Sequence, residues 1–195
     1  MTLDKTALRR KYALLRESLA PAERDAADAA IRDRLSRWRV FRDAPAVAAF
    51  AALGAEPELA ELAADKHWFL PRWSSAAGAY EIVEVGDPGR DLVRGRYGIR
   101  EPRPELPALP ESSWRDLLFL VPAVACGLDG TRLGRGGGYY DRMLAESVYG
   151  AAAVVYDCQV ASEALPCEEH DRRVGWIVTE DRLIECGNGC EQTFF

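Results

Sequence analysis

The chain has 195 residues, enough for one domain whose core removes roughly 70% of the unfolded chain's surface from water, so a disulfide framework is not needed. Its formal charge of −6 argues against broad neutralisation of nucleic-acid phosphates, although a local basic pocket can sit inside an acidic surface. The N-terminal stretch MTLDKTALRRKYALLRESLA is charged throughout, and no run of about 18 uncharged apolar residues occurs, which excludes an obvious signal peptide or spanning helix.

The expectation is therefore a soluble, cytoplasmic monomer whose partners are small molecules, with neither nucleic acid nor membrane among them. Five cysteines, at 126, 158, 167, 186 and 190, include no C-x-x-C pair and read as free thiols. Cys186 and Cys190 have no second pair at zinc-site spacing to work with.

Leu8, Tyr12, Leu15 and Leu19 recur at i, i+4, i+7 and i+11 and predict a helix from about Asp4 to Leu19 with one apolar stripe. Pro21 suits the first turn of a second helix, in which Ala27, Ile31, Leu35 and Trp38 keep the same period. From Ala46 the pattern changes to short apolar runs (AVAAFAAL, HWFLP, YEIVEV, LLFLVPAV, AAAVVYDC, VGWIVTE) alternating with helical stretches such as EPELAELAADK and YYDRMLAES. Such alternation predicts an α/β fold with a mainly parallel sheet flanked by helices, Rossmann-like and three-layered, behind an N-terminal helical segment. The stretch from Gly86 to Trp114, rich in Pro, Gly and charge, reads as a long surface loop. No repeat or composition break divides the chain, so residues 1–195 read as a single domain, with the last dozen as a tail of unassigned role.

The stretch RLGRGGGYYDR, Arg132 to Arg142, sits where a buried strand, LLFLVPAV, hands over to a helix start. Glycines at Gly134, Gly136, Gly137 and Gly138 let backbone amides approach a ligand, a helix N-terminus favours negative charge, and Arg132 and Arg135 supply guanidinium forks that match phosphate oxygens. The stretch is neither a Walker A loop nor the G-x-G-x-x-G dinucleotide fingerprint. Spacing alone leaves open a phosphate site or an ordinary glycine turn with surface arginines.

The longer string VPAVACGLDGTRLGRGGGYYDR resembles the signature of the 5-formyltetrahydrofolate cyclo-ligase family, also called methenyltetrahydrofolate synthetase, G-x-R-L-G-x-G-x-G-Y-Y-D. The likeness runs along nearly the whole chain. Lys5-x-x-Leu8-Arg9, Glu56, Pro71-Arg72, the stretch Tyr97 to Pro102, and Pro166, Glu168, His170-Asp171 and Val178-Thr179-Glu180 each stand where the family shows the same residue types. Departures are Pro57-Glu58-Leu59 in place of Ile-x-Thr, Cys126-Gly127 in place of Phe-Asp, Gly137 where some members have lysine, and Gly175 where a second aspartate often follows.

The resemblance implies ATP- and Mg2+-dependent closure of 5-formyltetrahydrofolate to 5,10-methenyltetrahydrofolate. On it, Lys5, Arg9, Arg132, Gly134, Arg135, Gly136, Gly137, Gly138 and Tyr139 bind ATP, and Glu56, Trp73, Tyr97 and Tyr140 contact the folate. Asp141 and Asp171 hold Mg2+, and Arg135 and Tyr140 act at the reacting atoms. Without the resemblance, Lys5 and Arg9 read as a solvated helix edge, Asp141 as a first-turn acid, Asp171 as a loop acid and Glu56 as the opening acid of a helix. Two other readings are a non-catalytic relative that binds nucleotide or RNA, and a sugar-phosphate isomerase or transferase on a similar scaffold.

Overall fold

The computed structural model describes residues 4–95, 98–145, 147 and 150–187. Tyr97 and Cys190, both named above, lie outside the described residues.

Helix α1 spans Lys5–Glu17, and the side chain of Asp4 accepts the Thr6 amide at 2.9 Å as its N-cap. Its buried stripe differs from the predicted one: Leu8 and Tyr12 are inside, but Leu15 is 40% exposed and Arg16 is the next buried residue. Helix α2 spans Pro21–Arg37, with proline in the first turn and the Glu23 carboxylate accepting the Ala20 amide at 2.7 Å. Ala27, Ile31 and Leu35 form its buried face. Trp38 ends that helix in extended backbone, before the short α3 (Arg39–Asp43).

The strands that follow are β1 (Ala46–Ala48), β2 (His67–Ser74) and β3 (Ala79–Glu84). A one-turn helix α4 (Pro88–Asp91) then precedes β4 (Leu92–Arg94), β5 (Arg100–Pro102), β6 (Ala108–Leu109), β7 (Leu118–Val121), β8 (Ala125–Gly127) and β9 (Arg132–Leu133). After α5 (Tyr139–Leu144) come β10 (Ala151–Val154), β11 (Val160–Ala161), β12 (Trp176–Val178) and β13 (Leu183–Glu185). Eight strands form one sheet in the order β13-β12-β10-β7-β1-β2-β3-β6. The central pairings, β12 with β10, β10 with β7, β7 with β1 and β1 with β2, are parallel, and the outer ones are antiparallel.

Because successive side chains of a strand face opposite ways, the sheet has two apolar faces. Val47, Leu118, Leu120, Ala152 and Val154 pack with Ile31 and Leu35 of α2, while Ala48, Phe119, Val121, Ala151 and Ala153 pack with Trp114, Met143 and Leu144. Ile31, Leu35, Leu118 and Leu120 are fully buried, each burial contributing roughly 1.5–3 kcal/mol before chain entropy is counted.

Two expectations are corrected. The stretch EPELAELAADK forms a 3₁₀ turn over Ala60–Asp65 instead of an α-helix, because Glu56 is turned into the protein and only a few residues remain before β2. The stretch from Gly86 to Trp114 contains α4, the hairpin of β4 and β5, and β6, which pairs with β3 in the main sheet. Among the described residues, no helix is long and apolar enough to cross a membrane.

Candidate active site

A cavity of about 520 Å³ opens outside the carboxyl ends of β1 and β7, where Phe50, Ala51 and Leu53 follow one strand and Pro122, Ala123 and Val124 follow the other. Ligands of open α/β sheets gather at such strand ends. The glycine loop forms one wall, α1 another, and Ile99, Arg100 and Glu101 of the β4–β5 hairpin a third.

In the loop, Gly136 and Gly138 have φ of +98° and +63°, which L side chains rarely adopt. Gly137 is crowded in a different way: a Cβ there would lie 2.5 Å from the Tyr139 ring where it now stands. Among the described residues, no hydrogen bond within the protein takes the backbone amides of residues 134–138, and Arg9 Nε holds the start of the loop through the Gly134 carbonyl at 2.8 Å. Helix α5, which the loop feeds, has only six residues. The helix-end charge expected from the sequence is therefore small, and loop amides and side-chain cations dominate.

Three cation–carboxylate pairs line the same space. Arg132 Nη2 donates to Asp141 Oδ1 at 2.6 Å, and the same oxygen accepts the Arg172 amide at 3.1 Å. The Arg132 side chain is 3% exposed, and its Nε has no hydrogen-bond partner among the described residues. Lys5 Nζ bridges Glu168 Oε1 at 2.8 Å and Asp171 Oδ2 at 2.9 Å. Desolvation opposes the charge of both Lys5 and Asp171, but their mutual bond and their bonds to Glu168 win, holding the lysine above and the aspartate below its ordinary pKa. Third, Arg135 donates from Nη2 and Nε to Glu56 Oε1 at 2.7 and 3.2 Å, while Glu56 Oε2 accepts the Leu53 amide at 3.0 Å.

Tyr140 also lines the cavity, with the Arg132 guanidinium 5.7 Å from its ring centroid. Burial, then the charge of Glu56, pushes its hydroxyl pKa upward, so it remains a hydrogen-bond donor at neutral pH. Tyr139 meets Tyr80 and Trp73 edge-on at centroid distances of 4.7 and 5.9 Å. Trp73 supports these rings without lining the cavity itself.

Every other candidate binding, catalytic or metal residue described in the structure lines this one space: Lys5, Arg9, Glu56, Arg132, Gly134 to Tyr140, Asp141 and Asp171. Tyr80, which also lines the cavity, and Arg16, which stands behind Glu56, carry no such mark in the sequence. Arg16 lies seven positions after Arg9 on the inner face of α1, a spacing signal masked by the apparent leucine stripe. Tyr80 follows a turn in an ordinary strand pattern, where an aromatic residue carries no functional mark.

Among the described residues, no three His, Cys, Asp or Glu side chains cluster tightly enough to hold a metal ion. Asp141 and Asp171 nevertheless line one cavity, and each uses one oxygen in the bonds above. The donor set suits a hard cation completed by ligand oxygens and water, the usual manner of Mg2+.

The profile of the 5-formyltetrahydrofolate cyclo-ligase family matches residues 1–180. A 5-formyltetrahydrofolate cyclo-ligase of Mycolicibacterium smegmatis is 34% identical over 193 residues, covering 93% of this chain and 96% of the relative. The NMR structure of the 5,10-methenyltetrahydrofolate synthetase of Aquifex aeolicus superposes with a TM-score of 0.82 at 29% identity, over 97% of this chain and 96% of that one. The 5,10-methenyltetrahydrofolate synthetase structure from Mycoplasma pneumoniae, 20% identical, shares the fold with a TM-score of 0.69 over 91% of this chain and 99% of its own. A glycine loop with unbonded amides, the carboxylates around it and a likeness running nearly end to end lead to one conclusion: the chain belongs to the 5-formyltetrahydrofolate cyclo-ligase family.

Proposed function

We propose that the protein converts 5-formyltetrahydrofolate to 5,10-methenyltetrahydrofolate in an ATP- and Mg2+-dependent reaction that releases ADP and phosphate. The observation that carries this reading is the placement of two different recognition surfaces in one cavity: loop amides at residues 134–138 with no partner within the described protein, and the inward-turned carboxylate of Glu56. The first suits phosphate oxygens. The second suits the paired N–H donors of a pterin ring.

Ring closure has to expel the formyl oxygen, and oxide or hydroxide is a poor leaving group. On this reading the formyl oxygen attacks the γ-phosphorus and ADP leaves. N10 then bonds to the activated formyl carbon and gives up its proton, and the C–O bond breaks with departure of inorganic phosphate, which carries that proton away. The protein's part is alignment and charge stabilisation. Lys5, Arg9 and Arg132 surround the phosphates with positive charge, and Arg135 reaches the group in transfer. Tyr140, kept protonated, donates a hydrogen bond at the junction of the two substrates. Asp141 and Asp171 would hold Mg2+, which neutralises phosphate charge when bound.

The same reading takes the protein as a three-layer, Rossmann-like cytoplasmic monomer that binds folate and nucleotide. The net charge of −6 supports this over the RNA-binding alternative. The test is to mix the purified protein with 5-formyltetrahydrofolate, ATP and Mg2+ and follow the near-ultraviolet absorbance of the methenyl product. Appearance of that band only when all three are present is expected, and its absence with folded protein would reject the reading.

A further inference from the structure

Arg16 has no part in the reaction as described, yet its state is unusual. It is 5% exposed, and its Nε and Nη1 have no hydrogen-bond partner among the described residues. Nη1 stands 3.7 Å from Glu56 Oε1, near enough for attraction but too far for a hydrogen bond. That oxygen already accepts both bonds from Arg135, whose side chain is 51% exposed. One carboxylate oxygen thus faces two guanidinium groups, and the exposed one holds it while the buried one is left short. Leaving buried charged donors unbonded is costly, so the arrangement is poised to change.

A ligand that presents paired N–H donors across both oxygens of Glu56 finds one open site, on Oε2 beside the Leu53 amide, and must take the other from an Arg135 bond on Oε1. Arg135 can then move through the cavity. Arg16, enclosed on α1, cannot leave, and a small shift of the carboxylate brings it within bonding distance.

We propose that Arg16 is a positioning residue that takes over Glu56 when folate binds, releasing Arg135 to the nucleotide so that the two substrates bind with positive coupling. The inference rests on the folate and ATP reading above. Folate binding keeps the charge of Glu56 compensated from behind and delivers a free guanidinium to the glycine loop. Because coupling between two sites is reciprocal, ATP holding Arg135 also opens Glu56 to folate.

The test is calorimetric titration of a non-hydrolysable ATP analogue with Mg2+ into the full chain, with and without saturating 5-formyltetrahydrofolate. The wild-type protein is expected to bind the analogue about tenfold more tightly when folate is present, within the usual range of such couplings. In Arg16→Met, affinity for the analogue alone is expected to stay as in wild type while the folate-dependent tightening falls below about twofold, and Arg16→Lys is expected to restore part of it. Independent binding of the two ligands to the wild-type protein would overturn the proposal while leaving the proposed reaction standing, and this arm does not require the variants to fold. Undiminished coupling in a folded Arg16→Met would also overturn it. Failure of the wild type to bind either ligand would instead reject the proposed function, and the coupling with it.

Discussion

Arg135 and Glu56, 79 positions apart in sequence, form a two-pronged contact in which both guanidinium donors converge on one carboxylate oxygen. The contact spans the two halves of the cavity: Glu56 follows β1 and Arg135 belongs to the glycine loop. The partners are expected to fail differently when changed. Arg135→Ala should lower kcat by about 10² to 10³, the loss typical of a donor aimed at developing transition-state charge, with a smaller change in the KM for folate. Glu56→Gln should chiefly raise the KM for folate. Steady-state kinetics on both variants check the split, and identical effects would place both residues in substrate binding.

Asp141 calls for a gentler change than alanine. Its Oδ1 is the hydrogen-bond partner of Arg132, whose side chain is 3% exposed, and removing the carboxylate would leave that cation uncompensated at a cost of about 3–5 kcal/mol. Asp141→Asn keeps an acceptor while removing the charge a divalent cation needs. Titrating Mg2+ against turnover should show at least about tenfold more metal required, the penalty expected for losing a charged ligand. The melting temperature should fall less than for Asp141→Ala. A normal Mg2+ requirement in the asparagine variant would assign Asp141 to bracing Arg132 alone.

Gly137→Ala tests the tightest spot in the loop. The added methyl would meet the Tyr139 ring at 2.5 Å, so the ring has to leave its place against Tyr80 and Trp73. Tyr139 is 40% exposed and can swing outward, which keeps the stability loss near the low end of overpacking, about 1 kcal/mol. The expected result is a KM for ATP raised several-fold with the melting temperature nearly kept. An unchanged KM would remove Tyr139 from the nucleotide site.

Asp91 supplies a prediction about acid. Its buried carboxylate bonds Arg90 and accepts the Gly86 and Asp87 amides, which pulls its pKa from an ordinary 3.8 down to about 2. A depressed folded-state pKa contributes stability that is complete above pH 3.8 and is lost as pH falls toward 2. This turn leads into the β4–β5 hairpin that brings Ile99, Arg100 and Glu101 to the cavity. Melting temperature measured against pH should therefore drop across that window in the wild type and less steeply in Asp91→Asn. Parallel curves would show that other carboxylates control acid stability.

The sequence made some of this plain. An apolar run such as LFLV, buried on both faces, announces a central parallel strand, and four glycines between arginines announce a loop with closely approachable backbone. What it hid depended on long-range geometry. Nothing local tells Arg132 to pair with Asp141 or Lys5 with Asp171, because those partners meet only after the sheet assembles. The leucines at 14 and 15 gave α1 an apolar look that the fold leaves exposed, while Arg16 turned inward toward Glu56. Likewise the prolines and glycines between Gly86 and Trp114 hid short strands whose pairing with one another and with β3 is set by partners, not by their own propensity.

The most direct measurement follows an oxygen atom. With 18O in the formyl group of 5-formyltetrahydrofolate, turnover with ATP and Mg2+ should yield inorganic phosphate carrying one labelled oxygen, as alignment of that oxygen with the γ-phosphorus at the glycine loop requires. Methenyl product formed with unlabelled phosphate would contradict the account.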